Sequence, residues 1–366
     1  MSDRTPASLP APGPDGEPLL DAEKTGFRLP GLETVGRLLA LVVVFAFFCV
    51  LVPDGSFLKP GNVEDILRQS AVYATAALGM TLVIITAGID LSVGSNIALT
   101  MVVVACMLNL GLDPTVPGDT GGIHEWPILL PILAVLVAVA MATLMGILNG
   151  IMIVWLRLVP FIVTLGMMGI IRGLGKGIAG QRTVYVMEDV WVRDIMRATL
   201  TSKDPSRSWM LLPPGIWLLI VAAVFAALLL RYTRLGRHIF AVGSNQETAR
   251  LCGVPVGRTK IIVYALAGFF GGLAGLMEFA YGNGIGEPTG GIGYELYVIA
   301  AVVIGGGSFM GGEGSIFGTL IGALIITTLK TGGKQADWPQ WVQEMVIGAI
   351  IIAAVALDRL RHRRAE

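Results

Sequence analysis

Charge is what this sequence has least of. Only 14% of its 366 residues are Asp, Glu, Lys or Arg, while 54% are hydrophobic, and the mean hydropathy is +0.74. A soluble domain carries about 25% charge, so a water-facing globule is excluded and an all-α integral membrane protein is expected. The formal net charge is zero, which argues against nucleic acid as a partner. Cysteine is also scarce. Cys49, Cys106 and Cys252 have no paired spacing, so no disulfide framework is implied. His124, His238 and His362 fall in three separate loops and make no metal set. Neither Gly175-Lys176 nor Gly333-Lys334 is followed by Ser or Thr, and HExxH and CxxC are absent. Without a phosphate-binding loop or a hydrolytic motif, the chain is read as no enzyme and as needing no cofactor; any energy for transport comes from another chain.

Glycine is abundant, at 48 residues, which points to close helix packing and interrupted helices. Residues 1–35 form a tail rich in Pro, with Pro6, Pro10, Pro12, Pro14, Pro18 and Pro30. Such a segment cannot bury a core and is expected to be disordered. From 36 to 358 the chain is a succession of apolar runs. At about 20 residues per crossing, about ten spans are expected, near 36–53, 69–88, 92–111, 127–148, 160–179, 212–231, 260–281, 294–308, 314–331 and 341–357. Basic residues cluster at 231–260 and in the tail 359–366, whereas the loops 112–126 and 282–293 have no Lys or Arg. The positive-inside bias therefore predicts cytoplasmic N- and C-termini. Residues 182–208 carry charges of both signs and read as an external insert. Val83-Ile84 and Gly94-Ser95 recur at the same spacing as Val303-Ile304 and Gly314-Ser315, a faint internal repeat of the kind found in inverted-repeat transporters.

Four stretches carry candidate function. The loop 237–256 is polar and sits between two apolar spans. Ser244 followed by Glu247 reads as a capping box, Gly253 suits the position after a helix end, and Pro255 stops it, so a helix over 245–252 is expected. It is either a plain connector or a docking element for a cytoplasmic partner, offered through Gly243, Ser244, Asn245, Glu247, Ala249, Arg250 and Gly253. Asp90 interrupts a long apolar run. With Ser92 it can cap the following helix, with Gly88 permitting the turn, or it can touch a solute. Asn149 and Thr164 are polar groups inside apolar spans, suited to helix–helix hydrogen bonds or to lining a pathway. Phe161 can stack on a sugar or simply pack. The stripes Gly268, Gly272 and Gly271, Gly275, and Gly314, Gly318, Gly322, are read as packing surfaces.

Taken in order, GMTLVIITAGIDLSVGS, ILNG with VPFIVTLGMMGIIRG, AVGSNQETARLCGV and GYELYVIAAVVIGGGSFMGGEGSIFGTLIGAL resemble the permease subunit of bacterial ABC importers of the ribose/xylose type. The resemblance covers about residues 60–358. It implies the ten-helix importer permease fold, a homodimer with a second permease copy in the inner membrane, a cytoplasmic ABC ATPase subunit and a periplasmic sugar-binding protein. It also implies that the 237–256 segment is the ATPase-coupling loop and that transport runs by alternating access. The cargo is then a simple sugar, a pentose or a hexose. A nucleoside or signal-molecule permease, or an ion-coupled transporter using Asp90 and Glu278, are the rival readings.

Overall fold

The computed structural model describes residues 32–111, 126–186, 188–199, 210 and 212–363. The Pro-rich tail up to residue 31 and residues 200–208 of the expected insert lie outside the described residues. Leu32 is already helical, so the helix begins inside the stretch expected to be tail.

The helices are α1 (Leu32–Leu51), α2 (Pro60–Ile85), α3 (Val93–Leu108), α4 (Leu129–Trp155), α5 (Pro160–Ile178), α6 (Trp191–Asp194), α7 (Pro214–Tyr232), α8 (Arg234–Ser244), α9 (Gln246–Leu251), α10 (Val256–Tyr281), α11 (Tyr294–Ile304), α12 (Ile316–Gln335) and α13 (Gln340–Arg363). Strand is limited to a two-residue pair, Val184–Tyr185 antiparallel to Ile285–Gly286. Seven helices, α1, α2, α4, α5, α7, α10 and α12, are long and apolar enough to cross a membrane; α3, α11 and part of α13 are shorter apolar helices at the other three expected places. At 1.5 Å per residue, the 11 residues of α11 reach only about 16 Å, roughly half of the hydrocarbon thickness. Its N-terminus is approached by an irregular segment lying along α3. A Cβ on Gly286 would meet Ala105 at 2.5 Å, and one on Gly291 would meet the Gly94 carbonyl oxygen at 2.5 Å. Such backbone is tolerated at membrane depth where protein covers it.

The second helix starts nine residues before its apolar run does. Pro60 occupies the first turn, where a missing N–H costs nothing. The polar residues that follow find partners inside the protein: Glu64 accepts from the Thr199 backbone N–H, and its Oε1 is 3.2 Å from Thr199 Oγ1.

Helix α10 is the hub, and glycine is what lets its neighbours approach. A Cβ on Gly268 would lie 2.4 Å from the Ala142 carbonyl oxygen of α4, and one on Gly275 would lie 2.8 Å from the Ile97 oxygen of α3. Gly79 of α2 approaches Ala267 in the same way. The glycine stripes are therefore packing surfaces, as expected. By contrast, α4, α5 and α7 expose Leu136, Leu144, Ile162, Ile170, Val221 and Phe225. An apolar surface of this kind is stable against lipid tails and a liability in water.

Two connections interrupt the helical core at one end. Residues 86–92 join α2 to α3, and residues 305–315 join α11 to α12. They pack on each other: the Gly312 N–H donates to the Ile85 carbonyl at 2.8 Å, and Thr81 and Thr319 share a hydrogen bond of 2.7 Å between α2 and α12. The left-handed residue of the first break is Ala87, with φ 57°, not Gly88. Gly88 is needed for space instead, since a Cβ there would meet the Tyr264 hydroxyl at 2.8 Å.

Candidate functional site

The polar loop is two helices, not one. Thr233 caps α8, its Oγ1 accepting from the Gly236 N–H at 3.1 Å. One face of α8 is buried through Gly236, Ile239, Val242 and Gly243, while Arg234, Arg237 and Ser244 face outward. The capping box expected from Ser244 and Glu247 is not formed. Ser244 is the last residue of α8, and Asn245 caps α9, its Oδ1 accepting from the Thr248 N–H at 2.9 Å. The two residues are equally good caps; the helix α8, which the sequence did not suggest, runs through Ser244 and leaves Asn245 as the cap of α9. Gly253 does what its position predicts. Its φ is +81°, and the Val254 N–H returns to the Ala249 carbonyl at 3.0 Å, which closes the end of α9 in a Schellman-type turn. Ala249 is buried, whereas Asn245, Glu247, Arg250 and Gly253 are exposed. Leu251 at the tip is 87% exposed, an apolar side chain on a polar knob.

Gly243 ties this knob to the membrane core. A Cβ there would fall 1.7 Å from the Ile85 carbonyl oxygen and 2.6 Å from the Gly312 nitrogen. A single residue of the loop thus touches both helix breaks at once. Lys260 braces the other side, donating to Gln246 Oε1 at 2.7 Å.

Four of the five pathway candidates do meet. Asp90 Oδ1 accepts from both the Ser92 backbone N–H (2.8 Å) and the Ser92 hydroxyl (2.6 Å). Asn149 Nδ2 donates to Ser92 Oγ at 2.9 Å. The Tyr264 hydroxyl donates to the Ile89 carbonyl at 3.3 Å; Thr164 Oγ1 lies at the same distance from that oxygen, with the carbonyl of Pro160 as its nearest acceptor at 3.0 Å. The group is sealed: Asp90 is 2% exposed, and Ser92, Asn149 and Thr164 are fully buried. The expected cap of α3 is not formed: Ser92 occupies the N-cap position without a side-chain cap hydrogen bond, and Asp90 binds Ser92 within the break instead. Phe161 stands apart, with its side chain about half exposed at 46%.

A second polar group lies between the middle of α2 and the far end of α12. Lys330 Nζ sits over the rings of Tyr73, Tyr294 and Tyr297, at 5.1, 5.4 and 5.0 Å from their centroids, and donates to the Tyr73 hydroxyl. The Tyr294 hydroxyl donates to Glu278 Oε1 at 2.7 Å. Nearer the helix ends, Tyr281 donates to Asp65 Oδ1 at 3.0 Å, Arg68 stacks on the Tyr281 ring at 5.0 Å, and Gln335 reaches Asn62. Unlike the Asp90 group, Lys330, Glu278, Tyr294 and Tyr297 are only partly buried.

Residues 62–355 match the family described as the permease component of the branched-chain amino acid transport system. The chain belongs to this permease family. The permease is 37% identical to the D-allose transport system permease protein of Escherichia coli, over 90% of this chain and 92% of that one. It is 36% identical to the ribose import permease protein of Bacillus subtilis (93% and 97% covered). It is 33% identical to the galactose/methyl galactoside import permease protein of Salmonella typhimurium (92% and 97% covered). No solved structure matches it. The permease is a multi-pass protein of the inner membrane. Its tyrosine–lysine group was missed in the sequence, where its members are spread over four apolar runs; the available signal was Lys330, a single cation inside the span 314–331, since such a charge seeks a cavity or a partner.

Proposed function

We propose that this permease is the translocation subunit of an ATP-driven importer of a simple sugar. A separate cytoplasmic ATPase supplies the energy, a periplasmic binding protein delivers the sugar, and a second copy of the chain completes the pathway. The observation that carries this reading is the seat of Gly243. A protruding, capped helix pair with an exposed apolar tip fits a groove on a motor subunit. Its root rests directly on both helix breaks, so displacement of the knob is transmitted to the two interrupted helices without a compliant linker between. Sugars named for the relatives support the cargo class.

In this arrangement α8 and α9 face the cytoplasm with both chain termini. All ten apolar helices take part in the membrane domain, and the described part of the insert faces the binding protein. The helix–break–helix order of α2–α3 and α11–α12 supports the repeat read in the sequence. Ser244, Asn245, Glu247, Arg250 and Leu251 form the outward face of the coupling knob, while Gly243, Ala249 and Gly253 shape it.

Reconstitution tests the reading. Vesicles carrying the permease, its ATPase and its binding protein should take up sugar on addition of ATP, and uptake should continue when an uncoupler collapses the ion gradients. Uptake that stops with the uncoupler while ATP remains would instead favour an ion-coupled transporter using Asp90 and Glu278.

A further inference from the structure

Lys330 is in an unusual position for a lysine in an apolar helix. It has no carboxylate within 4.0 Å among the described residues; three aromatic rings and one phenol oxygen surround it. The nearby carboxylate, Glu278, is turned to Tyr294. Cation and anion are thus held apart in one small space. An ammonium has three donors and a carboxylate about four acceptor positions, and the contacts above use one of each. Hydrogen-bonding capacity of both kinds is left over, in a site whose walls are aromatic and partly accessible. The charges of Lys330 and Glu278 cancel, and so do those of Arg68 and Asp65 beside them, so the site favours neither an anion nor a cation.

The location agrees. Polar contacts between facing helices run inward from the Asn62–Gln335 end of α2 and α12, through Gln69 and Thr331 (3.5 Å), to Tyr73 and Lys330. In the proposed orientation that end is periplasmic. The Asp90 group, by contrast, is sealed from the surface: Asp90 is 2% exposed and Ser92, Asn149 and Thr164 are fully buried, although Asn149 Oδ1 has no hydrogen-bond partner among the described residues.

We propose that Lys330, Glu278, Tyr294 and Tyr297, with Tyr73 fully buried behind them, form the solute-contact site of the permease, and that its solute is an uncharged monosaccharide. Lys330 and Glu278 hydrogen-bond the sugar hydroxyls, and the tyrosine faces take the C–H face of the ring as the ammonium turns from the cage to a hydroxyl. This rests on the sugar-importer reading and places the sugar at the tyrosine cage instead of at Asp90, Ser92, Asn149, Phe161 and Thr164.

The test uses the full complex in vesicles, with the Lys330→Met and Tyr297→Ala variants and a panel of pentoses and hexoses. Assembly is checked by co-purification of the ATPase. Both variants should lower sugar flux about tenfold or more, the scale of losing a hydrogen bond to a charged group. ATP consumed per sugar should rise, and the rank order of sugars should change. Flux within twofold of the parent, with an unchanged rank order, would overturn the inference and leave the importer reading standing. If the parent complex moves no monosaccharide at all, the importer reading itself fails. Should Lys330→Met not assemble, Tyr297→Cys decides: a membrane-impermeant maleimide added outside should label it well above the parent chain and compete with sugar. Absence of labelling in every nucleotide state would refute the site.

Discussion

Replacing Gly243 by Ala probes the joint between knob and core. The added methyl would sit 1.7 Å from the Ile85 carbonyl oxygen. Ordinary contact requires a separation of more than 3 Å, so the backbones must part by roughly 1.5 Å, in an interior packed to near-crystal density. Nothing flexible is available to yield, because both neighbours are backbone: the Ile85 carbonyl and the Gly312 nitrogen that donates to it at 2.8 Å. Overpacking costs about 1–3 kcal/mol, and loss of the Gly312–Ile85 hydrogen bond adds about 0.5–1.5 kcal/mol. Gly243→Ala should therefore lose roughly 2–4 kcal/mol, or keep its fold by lifting the knob off the breaks. Either response weakens transmission, so ATPase activity stimulated by the loaded binding protein should fall. Gly166→Ala is the control. A Cβ there meets nothing within 4 Å, and the residue lies in α5, outside the coupling knob. Thermal retention of the detergent-solubilised complex and stimulated ATPase activity, measured on both variants, check the difference. If Gly243→Ala matches the parent in both, the breaks are not where force enters and the reasoning fails.

Three further substitutions separate neighbouring explanations. Asn245→Ala should destabilise α9 by about 1 kcal/mol, while Ser244→Ala should stay within about 0.5 kcal/mol; hydrogen exchange of the Thr248 and Ala249 amides reads this directly, and the reverse order would restore the Ser244 capping box. Asp90→Asn weakens the charge-assisted bonds to Ser92 and should cost about 1–3 kcal/mol without changing the rank order of transported sugars; a selective change in sugar preference would move the solute site to the Asp90 break.

The membrane architecture was legible because long apolar runs report on the solvent and need no knowledge of tertiary contacts. Seven of the expected segments are helices long and apolar enough to cross a membrane and the other three fall on shorter apolar helices, with the largest disagreement in position at the start of α2. There, Asn62, Glu64, Asp65 and Arg68 break the run in sequence but are accommodated inside the protein. Local chemistry was legible too where it is truly local: Gly253 ends α9 as its type predicts. Ser244 was misjudged because the helix α8, which the sequence did not suggest, runs through it and leaves Asn245 as the cap of α9. The tyrosine cage was illegible because its contacts are not local. Tyr73 and Lys330 are separated by 257 residues, and no periodicity within one span reveals which residues of four helices share a space.

The two ends of the molecule are connected through α2 and α12, which makes the proposed coupling testable at a single pair. Helix α2 carries Tyr73 at its middle and Ile85, touched by Gly243, at its inner end. Helix α12 carries Lys330 near its outer end and begins just after the break that contains Gly312. In the proposed coupling a push at Gly243 acts on the inner ends of both helices, and Tyr73 and Lys330 lie further along them. Thr81 and Thr319 lie between, joined at 2.7 Å. Replacing both by cysteine puts two thiols within bonding reach, subject to the disulfide's requirement for closely spaced Cβ atoms. Oxidised Thr81→Cys/Thr319→Cys complex should bind the ATPase but stop moving sugar, because α2 and α12 can no longer shift past each other, and a reductant should restore flux. A fully cross-linked complex that transports at the parent rate would show that these two helices move as one body, and that access alternates elsewhere.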